Sequence, residues 1–340
     1  MIREQIDELV AHGGFPQDLA AVDLIETHIS YVILCTSKVY KIKKAVNLGF
    51  LDFSTVEKRK HFVEDELLLN HRLCPVMYLR TLPVTLHEGR YVIGGTDGEV
   101  IDHALEMERI DNALEMDRML ARGLVHTDDI DRVLEVLIPF HRGATIIRGK
   151  VTAADIASDF ADVAGITEYC AAALGPAQAA ALTASIAFAK YFLATHAELI
   201  AERDREGFIR DVHGDLHAGN IFLTERPLLF DCIEFDAHYR RIDLLNELAF
   251  FTMELDFAGY PDLGEHLMRR YNSDFPVMRT AEEESLYLFY KLYRANVRMK
   301  INAIRAQQVN DAPEQAKRKA LFEGYFNLYS AYWTRLKAEA

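Results

Sequence analysis

Hydrophobic and polar positions change their period several times along the chain, and each change predicts an element. Residues 1–25 read as a short helix, a break at Gly13-Gly14 and a second short helix from Pro16, with Gln17 or Asp18 near its start. Residues 27–34 are rich in β-branched side chains and predict a strand. A tight turn over 35–38 leads into a second strand over 39–43. Its alternation puts Val39, Lys41 and Lys43 on one face and Tyr40 and Ile42 on the other. Ser54-Thr55 opens a helix, with Glu57 three residues after Ser54 as in a capping box, and Pro75 enforces its end. Residues 77–86 and 89–93 predict a hairpin-like pair, and 100–107 a further strand. The first 107 residues therefore read as a small antiparallel sheet with one inserted helix.

Beyond that point the period becomes helical. The stretches 116–122, 127–141, 152–160 and 176–203 predict helices, and 207–230 returns to strand and loop. Residues 241–253, 263–272, 282–308 and 313 onward are helical again, with Tyr and Phe at inward spacings. The expected organisation is α+β: a β-rich lobe over 1–107 and a larger, mainly helical lobe over 108–340.

Composition narrows the partners. A chain of 340 residues suggests two domains or two lobes, and it can bury a core without a disulfide or metal staple. Half of the residues are apolar and 26% are charged, which argues against long disorder. Lys and Arg number 38 against 52 Asp and Glu, a formal charge of −14. Bulk nucleic-acid or anionic-membrane binding is therefore not expected, although a local basic pocket for an anionic cofactor is compatible with it. Residues 1–11 are polar and acidic, unlike a secretory signal. The alanine-rich stretch 170–197 contains Gly175-Pro176, Gln178, Ser185 and Lys190, and it reads as a buried or half-buried helix from Pro176 rather than a span. Cys35, Cys74, Cys170 and Cys232 show no metal or redox spacing, and are expected to be reduced and structural in a cytoplasmic protein.

The densest polar cluster is Val212-His213-Gly214-Asp215-Leu216-His217-Ala218-Gly219-Asn220-Ile221-Phe222-Leu223, followed by a short strand over 228–230 and then Asp231. The form is strand, polar loop, strand, acid. A hairpin of this kind would bring Asp231 to the end of the loop that carries Asp215 and Asn220. Such a set suits phosphoryl transfer. One carboxylate orients an attacking hydroxyl and accepts its proton, while an amide oxygen and a second carboxylate hold Mg²⁺ against the phosphates. Gly214 and Gly219 would allow sharp backbone turns. Turn formation is the competing account of Asp215 and Asn220, and a strand-end cap that of Asp231. His213 is expected to brace the loop through a backbone carbonyl. A transition-metal site on His213, Asp215 and His217 lacks an obvious fourth ligand.

The segment His213–Asn220 followed by Asp231 resembles the catalytic loop and metal acid of aminoglycoside phosphotransferases and related small-molecule kinases of protein-kinase-like fold. Val39-Tyr40-Lys41-Ile42-Lys43-Lys44 resembles the strand that carries the ATP-phosphate lysine, and Glu66 resembles that lysine's partner on the following helix. The likeness covers about residues 25–305. It implies a bilobal kinase-like fold, Asp215 as base, Asn220 and Asp231 on Mg²⁺, and Lys41 on the α- and β-phosphates, positioned by Glu66. Ser30 would lie in the nucleotide-covering loop, and the hinge over 107–110, with Met107 and Glu108, would touch adenine. ATP and Mg²⁺ are the implied cofactors and a small-molecule hydroxyl the implied acceptor. More narrowly, Thr27-His28-Ile29-Ser30, Gly49-Phe50-Leu51-Asp52-Phe53-Ser54-Thr55 and Phe230-Asp231-Cys232-Ile233-Glu234-Phe235 resemble an uncharacterised bacterial subgroup. Some of its members carry a C-terminal P-loop half, for which no GxxxxGK[ST] occurs here.

Several alternatives stay open at this level. Lys43 rivals Lys41 because both occupy one face, and Glu64 and Asp65 rival Glu66. Glu234 and Asp236 are further candidates for the metal or substrate shell, and Cys232 is expected to pack. The covering loop has no G-x-G-x-x-G, only 27–30 and the turn at Thr36-Ser37. The helix after the metal acid carries Glu247-Leu248-Ala249 where the subgroup usually has Asp-Leu-Ala, with Asp243 a substitute for the supporting role. These departures motivate the alternative of a nucleotide-binding regulatory or scaffold pseudokinase. A protein kinase is disfavoured by the lack of a long activation segment with A-P-E. Arg294 and Arg298 share a helix face and would suit an acidic or phosphorylated acceptor. The acids Glu282, Glu283, Glu284, Asp243, Glu247 and Glu254 would suit a cationic one.

Overall fold

A computed structural model describes residues 1–47, 51–309 and 311–339. Gly49 and Phe50 of the 49–55 motif lie outside the described residues. The elements begin with α1 (Arg3–His12), β1 (Ala21–Glu26), β2 (Ser30–Cys35), β3 (Lys38–Lys43), α2 (Val56–Asn70), β4 (Tyr78–His87), β5 (Arg90–Ile93) and β6 (Glu99–Glu108). Helices α3 (Met116–Ala121), α4 (Thr127–Gly143), α5 (Ala153–Ala161), α6 (Thr167–Leu174), α7 (Pro176–Thr195) and α8 (Ala197–Glu206) come next. Then follow β7 (Ile209–Asp211), β8 (Ile221–Phe222), β9 (Leu228–Leu229), β10 (Arg241–Asp243), α9 (Leu244–Phe257), α10 (Pro261–Asp274), α11 (Ala281–Gln308) and α12 (Ala312–Glu339). They form two compact units, Met1–Met119 with Gly219–Tyr239, and Leu120–Ala218 with Arg240–Ala340. The fold is the α+β, protein-kinase-like class the sequence predicts: a small antiparallel sheet with a helix, and a larger mainly helical lobe.

In the first unit the six strands run in the order β1-β2-β3-β6-β4-β5, all neighbours antiparallel. Alternation divides the sheet residues between two cores. Tyr31, Ile33, Tyr40, Ile42 and Val84 pack with Ile6, Leu9 and Phe15 on one face. Val39, Tyr78, Leu105 and Met107 pack with Val63 of α2 and with Phe222 and Leu228 of the β8–β9 hairpin on the other. Lys41 and Lys43 lie on this second face because they share the parity of Val39.

Local differences from the sequence reading have identifiable causes. Only one 3₁₀ turn, Pro16–Asp18, forms where a second helix was expected, and Ala21–Glu26 is an edge strand paired to β2. That pairing supplies backbone hydrogen bonds which local propensity does not reveal. Thr55, not Ser54, caps α2, its side chain accepting from the Lys58 amide at 3.3 Å. The expected helix over 176–203 breaks at His196. The imidazole Nδ1 lies 2.8 Å from the Phe192 carbonyl oxygen, and Thr195 Oγ1 donates to the same oxygen; such side-chain bonds compete with the helical ladder. Arg241–Asp243 is strand before it is helix, paired to β7, and Asp243 caps α9 by accepting from the Leu245 amide at 2.8 Å.

In the second unit α11 packs along α12 and α9, and α10 along α9 and α4. Phe289 stacks on Phe192 at 4.8 Å between ring centroids. Among the described residues one helix, Pro176–Thr195, is long and apolar enough to cross a membrane, and here it packs against α5 and α6. All four cysteines are buried and unpaired.

Candidate active site

In the first unit β3, α2 and the segment after β9 bring five charged side chains together. Lys41 Nζ donates to Glu66 Oε1 at 2.7 Å and to Asp231 Oδ1 at 2.9 Å. Lys43 Nζ donates to Glu66 Oε2 at 2.7 Å and also pairs with Glu234. The lysines differ in access. The Lys41 side chain is 16% exposed and faces a 43% exposed Asp231, whereas Lys43 and Glu66 are fully buried. Burial pulls the Lys41 ammonium down, and Asp231, Glu66 and Glu234 more than reverse it, so its pKa stands well above the ordinary value. Burial pushes Glu234 up, which Lys43 only partly offsets.

Helix α2 positions the acid turn as well as Glu66. Asn70, one helical turn on, bonds the Glu66 carbonyl through Nδ2 at 2.9 Å and receives the Cys232 amide on Oδ1 at 3.0 Å. The Asp231 amide donates to Tyr78 Oη at 3.1 Å. These bonds hold Asp231 at a φ of +64°, a left-handed conformation for a non-glycine residue. The β8–β9 ladder pairs Ile221 with Leu229 and Phe222 with Leu228, and the Phe230 amide donates to the Asn220 carbonyl at 3.0 Å. Asn220 and Asp231 therefore flank the open end of one hairpin, which a Phe222–Phe230 stack at 4.7 Å ties to the sheet core.

Glu66 makes a pH prediction. Burial alone would raise its carboxyl, yet Lys41 and Lys43 hold it down to about 2. A carboxyl depressed by folding stabilises the fold fully above its unfolded value of about 4.3 and loses that contribution as pH falls through the folded value. Acid unfolding followed by circular dichroism should be less steep between about pH 4 and 2 in Glu66→Gln. At pH 7 the same variant should lose about 3–5 kcal/mol, because buried Lys43 and partly exposed Lys41 lose their shared partner.

In the second unit the loop that carries Asp215 is held from two helices. Glu247 of α9, fully buried, receives the His213 amide on Oε1 at 2.8 Å and the Gly214 amide on Oε2 at 3.0 Å. Arg294 of α11 donates from Nη1 to the Gly214 carbonyl at 3.2 Å and from Nε to Asn246 at 2.7 Å. The longer acid at 247 thus grips the loop that its departure from Asp was expected to weaken. Asp243 is committed elsewhere, to buried Arg203, and does not take the supporting role. The His213 ring braces the loop, its Nδ1 accepting from the Asp215 N–H at 3.2 Å. Gly214 has a φ of +85°, whereas Gly219 has no positive φ. Gly214→Ala should therefore cost about 1–3 kcal/mol, read as a fall in the thermal midpoint.

The Asp215 carboxylate, 37% exposed, lies 3.6 Å from His217 Nε2. Burial acts to raise its pKa, but His217, Arg298 and His213 prevail and hold it well below the carboxylate range. A carboxylate so depressed is ionised at neutral pH, fit to orient a hydroxyl and to stabilise positive charge on it.

The other expected residues have different surroundings. Ser30 is fully buried, opposite Lys43 in the ladder, and its hydroxyl has no partner among the described residues. Met107 packs in the core, and Glu108 pairs through its side chain with Lys38. The Glu108 and Arg109 amides donate to Met77 and Ser37 carbonyls. Asp236 accepts from the His238 amide at 2.8 Å. Sequence reasoning missed Lys43–Glu234 as a buried pair, and Tyr78 and Asn70 as supports. Only Asn70 left a signal, four residues from Glu66 on one helix face. Among the described residues no three His, Cys, Asp or Glu side chains cluster closely enough to hold a metal ion by themselves.

No family model matches the chain. Uncharacterised proteins of Mycobacterium tuberculosis and Mycobacterium bovis are 30% identical to it over 295 residues, 84% of this chain and 56% of theirs. The chain thus spans little more than half the length of the curated relatives it matches. It is similar in structure to a choline kinase from Cryptosporidium parvum, with a TM-score of 0.56, 11% identity, and coverage of 94% of this chain and 89% of that one. An aminoglycoside 2'-phosphotransferase-IIIa in its GDP complex gives 0.53, 12%, 95% and 98%. An ethanolamine kinase from Plasmodium vivax gives 0.52, 9%, 94% and 84%. At these identities the likeness is one of fold, the kinase-like fold that small-molecule phosphotransferases share.

Proposed function

We propose that the protein is a nucleotide- and Mg²⁺-dependent phosphotransferase acting on a hydroxyl of a small molecule. The observation that carries this is the Lys41 ammonium, partly exposed and held between Glu66 at 2.7 Å and Asp231 at 2.9 Å. An ammonium fixed in this way is a ready phosphate grip, and buried Lys43 serves Glu66 from behind. Residues 1–107, with 219–239, are assigned nucleotide binding. The rest of 108–340 is assigned the acceptor and its base. The chain itself ties the two roles together, because Asp215 precedes Asn220 by five residues.

Asn220 and Asp231 would hold Mg²⁺. Both offer hard oxygen atoms, and one carboxylate oxygen of Asp231 bonds nothing among the described residues. The ion would neutralise charge on the phosphates. Asp215 orients the acceptor hydroxyl. The acceptor oxygen bonds to the γ-phosphorus as the bond to the β–γ bridging oxygen breaks, the nucleoside diphosphate leaves, and the hydroxyl proton passes to Asp215. Glu247 and Arg294 act on the backbone and fix where Asp215 stands.

A second reading, a nucleotide binder with little transfer, draws on buried Ser30 and on the committed amides of Glu108 and Arg109. One experiment separates the two. The full chain is incubated with Mg²⁺ and ATP or GTP against a library of hydroxyl metabolites, with nucleoside diphosphate release as readout and thermal unfolding in parallel. Turnover on at least one acceptor is expected. A thermal shift without turnover leaves the binder, and neither signal removes both readings.

A further inference from the structure

The second unit also carries a row of arginines. Arg294, Arg298 and Arg305 are spaced by four and by seven residues on α11, so they share one face, along roughly 16 Å of helix. The row starts at the loop, where Arg294 bonds the Gly214 carbonyl beside Asp215. Arg298 is held by Glu254 Oε1 at 3.1 Å and Tyr325 Oη at 3.2 Å. Arg305 is different. It is half-buried, and among the described residues its guanidinium makes no hydrogen bond and no ion pair. Glu314 of α12, an acid that acts on Arg305, is taken by Arg318 at 2.7 Å, and Arg318 keeps a buried Nε without a partner. Burial lowers the Arg305 pKa, and Arg318 and Arg298 lower it further, against weaker pulls from Asp215 and Glu314.

A half-buried guanidinium that feels two like charges and has no bonded partner is costly to the fold and gains most from an anionic ligand. Four of the six acids that would favour a cationic acceptor are meanwhile spent. Asp243 and Glu283 bond Arg203, Glu247 bonds the loop amides, and Glu254 bonds Arg298 and Tyr325.

We propose that Arg298, Arg305 and Arg318 form the anion-recognising end of the acceptor site, so that the molecule phosphorylated carries a carboxylate or a phosphate besides its hydroxyl. This deepens the phosphotransferase reading and rests on Asp215 being its base. Arg305 is here a specificity residue, and the transfer step is the one given above.

The test uses the full chain as wild type, Arg305→Gln and Arg305→Lys. Inorganic phosphate is titrated during thermal unfolding, and nucleoside diphosphate release is measured on hydroxyl compounds that bear a carboxylate, a phosphate, no charge or a quaternary ammonium. Without phosphate, Arg305→Gln should melt no lower than wild type, because repulsion is relieved. Phosphate should raise the midpoint of wild type and Arg305→Lys more than that of Arg305→Gln. Turnover should be confined to anionic acceptors, the productive class naming the anion, with KM at least tenfold higher in Arg305→Gln and kcat little changed. An equal phosphate shift in wild type and Arg305→Gln, or turnover of neutral or cationic acceptors that ignores Arg305→Gln, overturns the proposal. If no compound is turned over, the phosphate arm alone decides the anion site, and only the phosphotransferase reading falls.

Discussion

Asp215→Asn should lower nucleoside diphosphate release by about 10²–10⁴-fold with little change in the thermal midpoint. Asparagine keeps the shape of the side chain, and the amide–imidazole hydrogen bond between Asp215 and His213 is made by the backbone, so the loop survives. What would be lost is the charge proposed to orient the acceptor and to receive its proton. The carboxylate is more than a third exposed, so its pairing with His217 contributes little to stability. Because His217, Arg298 and His213 hold its pKa well below the usual range, the wild-type rate should stay flat from neutrality down to about pH 5. Initial rates across that range check both statements. A full-rate Asn variant, or a rate that falls steadily below pH 7 in a fully folded protein, would remove Asp215 from the chemistry.

Arg203→Met should cost about 3–5 kcal/mol, a fall in the thermal midpoint on the order of 10 °C. Arg203 is fully buried. It donates to both Asp243 oxygens at 2.7 and 2.8 Å, to Glu283 at 2.6 Å and to the Val277 carbonyl at 2.8 Å. Glu283 keeps Arg279 at 2.7 Å after the change, but Asp243 is left as a buried charge without its cation. Asp243 also caps α9, the helix that presents Glu247 to the His213 and Gly214 amides. The variant should therefore lose activity through the loop as well as stability. Scanning calorimetry, with activity measured well below the lowered midpoint, separates the two effects.

The parts of the site that were legible are those written locally. His213 to Asp231 is one continuous stretch, so its hairpin and its acid announce themselves, and strict alternation in β3 set Lys41 and Lys43 on one face. The parts that were not legible depend on register and on helix approach. Nothing in the sequence around Glu234 says that it meets Lys43, and nothing around Arg203 says that it meets Asp243 forty residues on. Glu247 shows the limit most clearly. As a letter it departs from Asp, yet in the fold its extra methylene reaches two amides. Strand β1 was hidden because an exposed edge strand has only weak alternation and owes its existence to β2.

We propose that Lys41, rather than Lys43, grips the phosphates of a bound nucleotide. Calorimetric titration of Mg²⁺–ATP into wild type, Lys41→Met and Lys43→Met tests it most directly. The predicted result is saturable binding by wild type, a Kd at least about tenfold weaker, near 1.4 kcal/mol, in Lys41→Met at a nearly unchanged thermal midpoint, and a lowered midpoint in Lys43→Met. An unchanged Kd in Lys41→Met, or no binding by the wild-type chain, would contradict it.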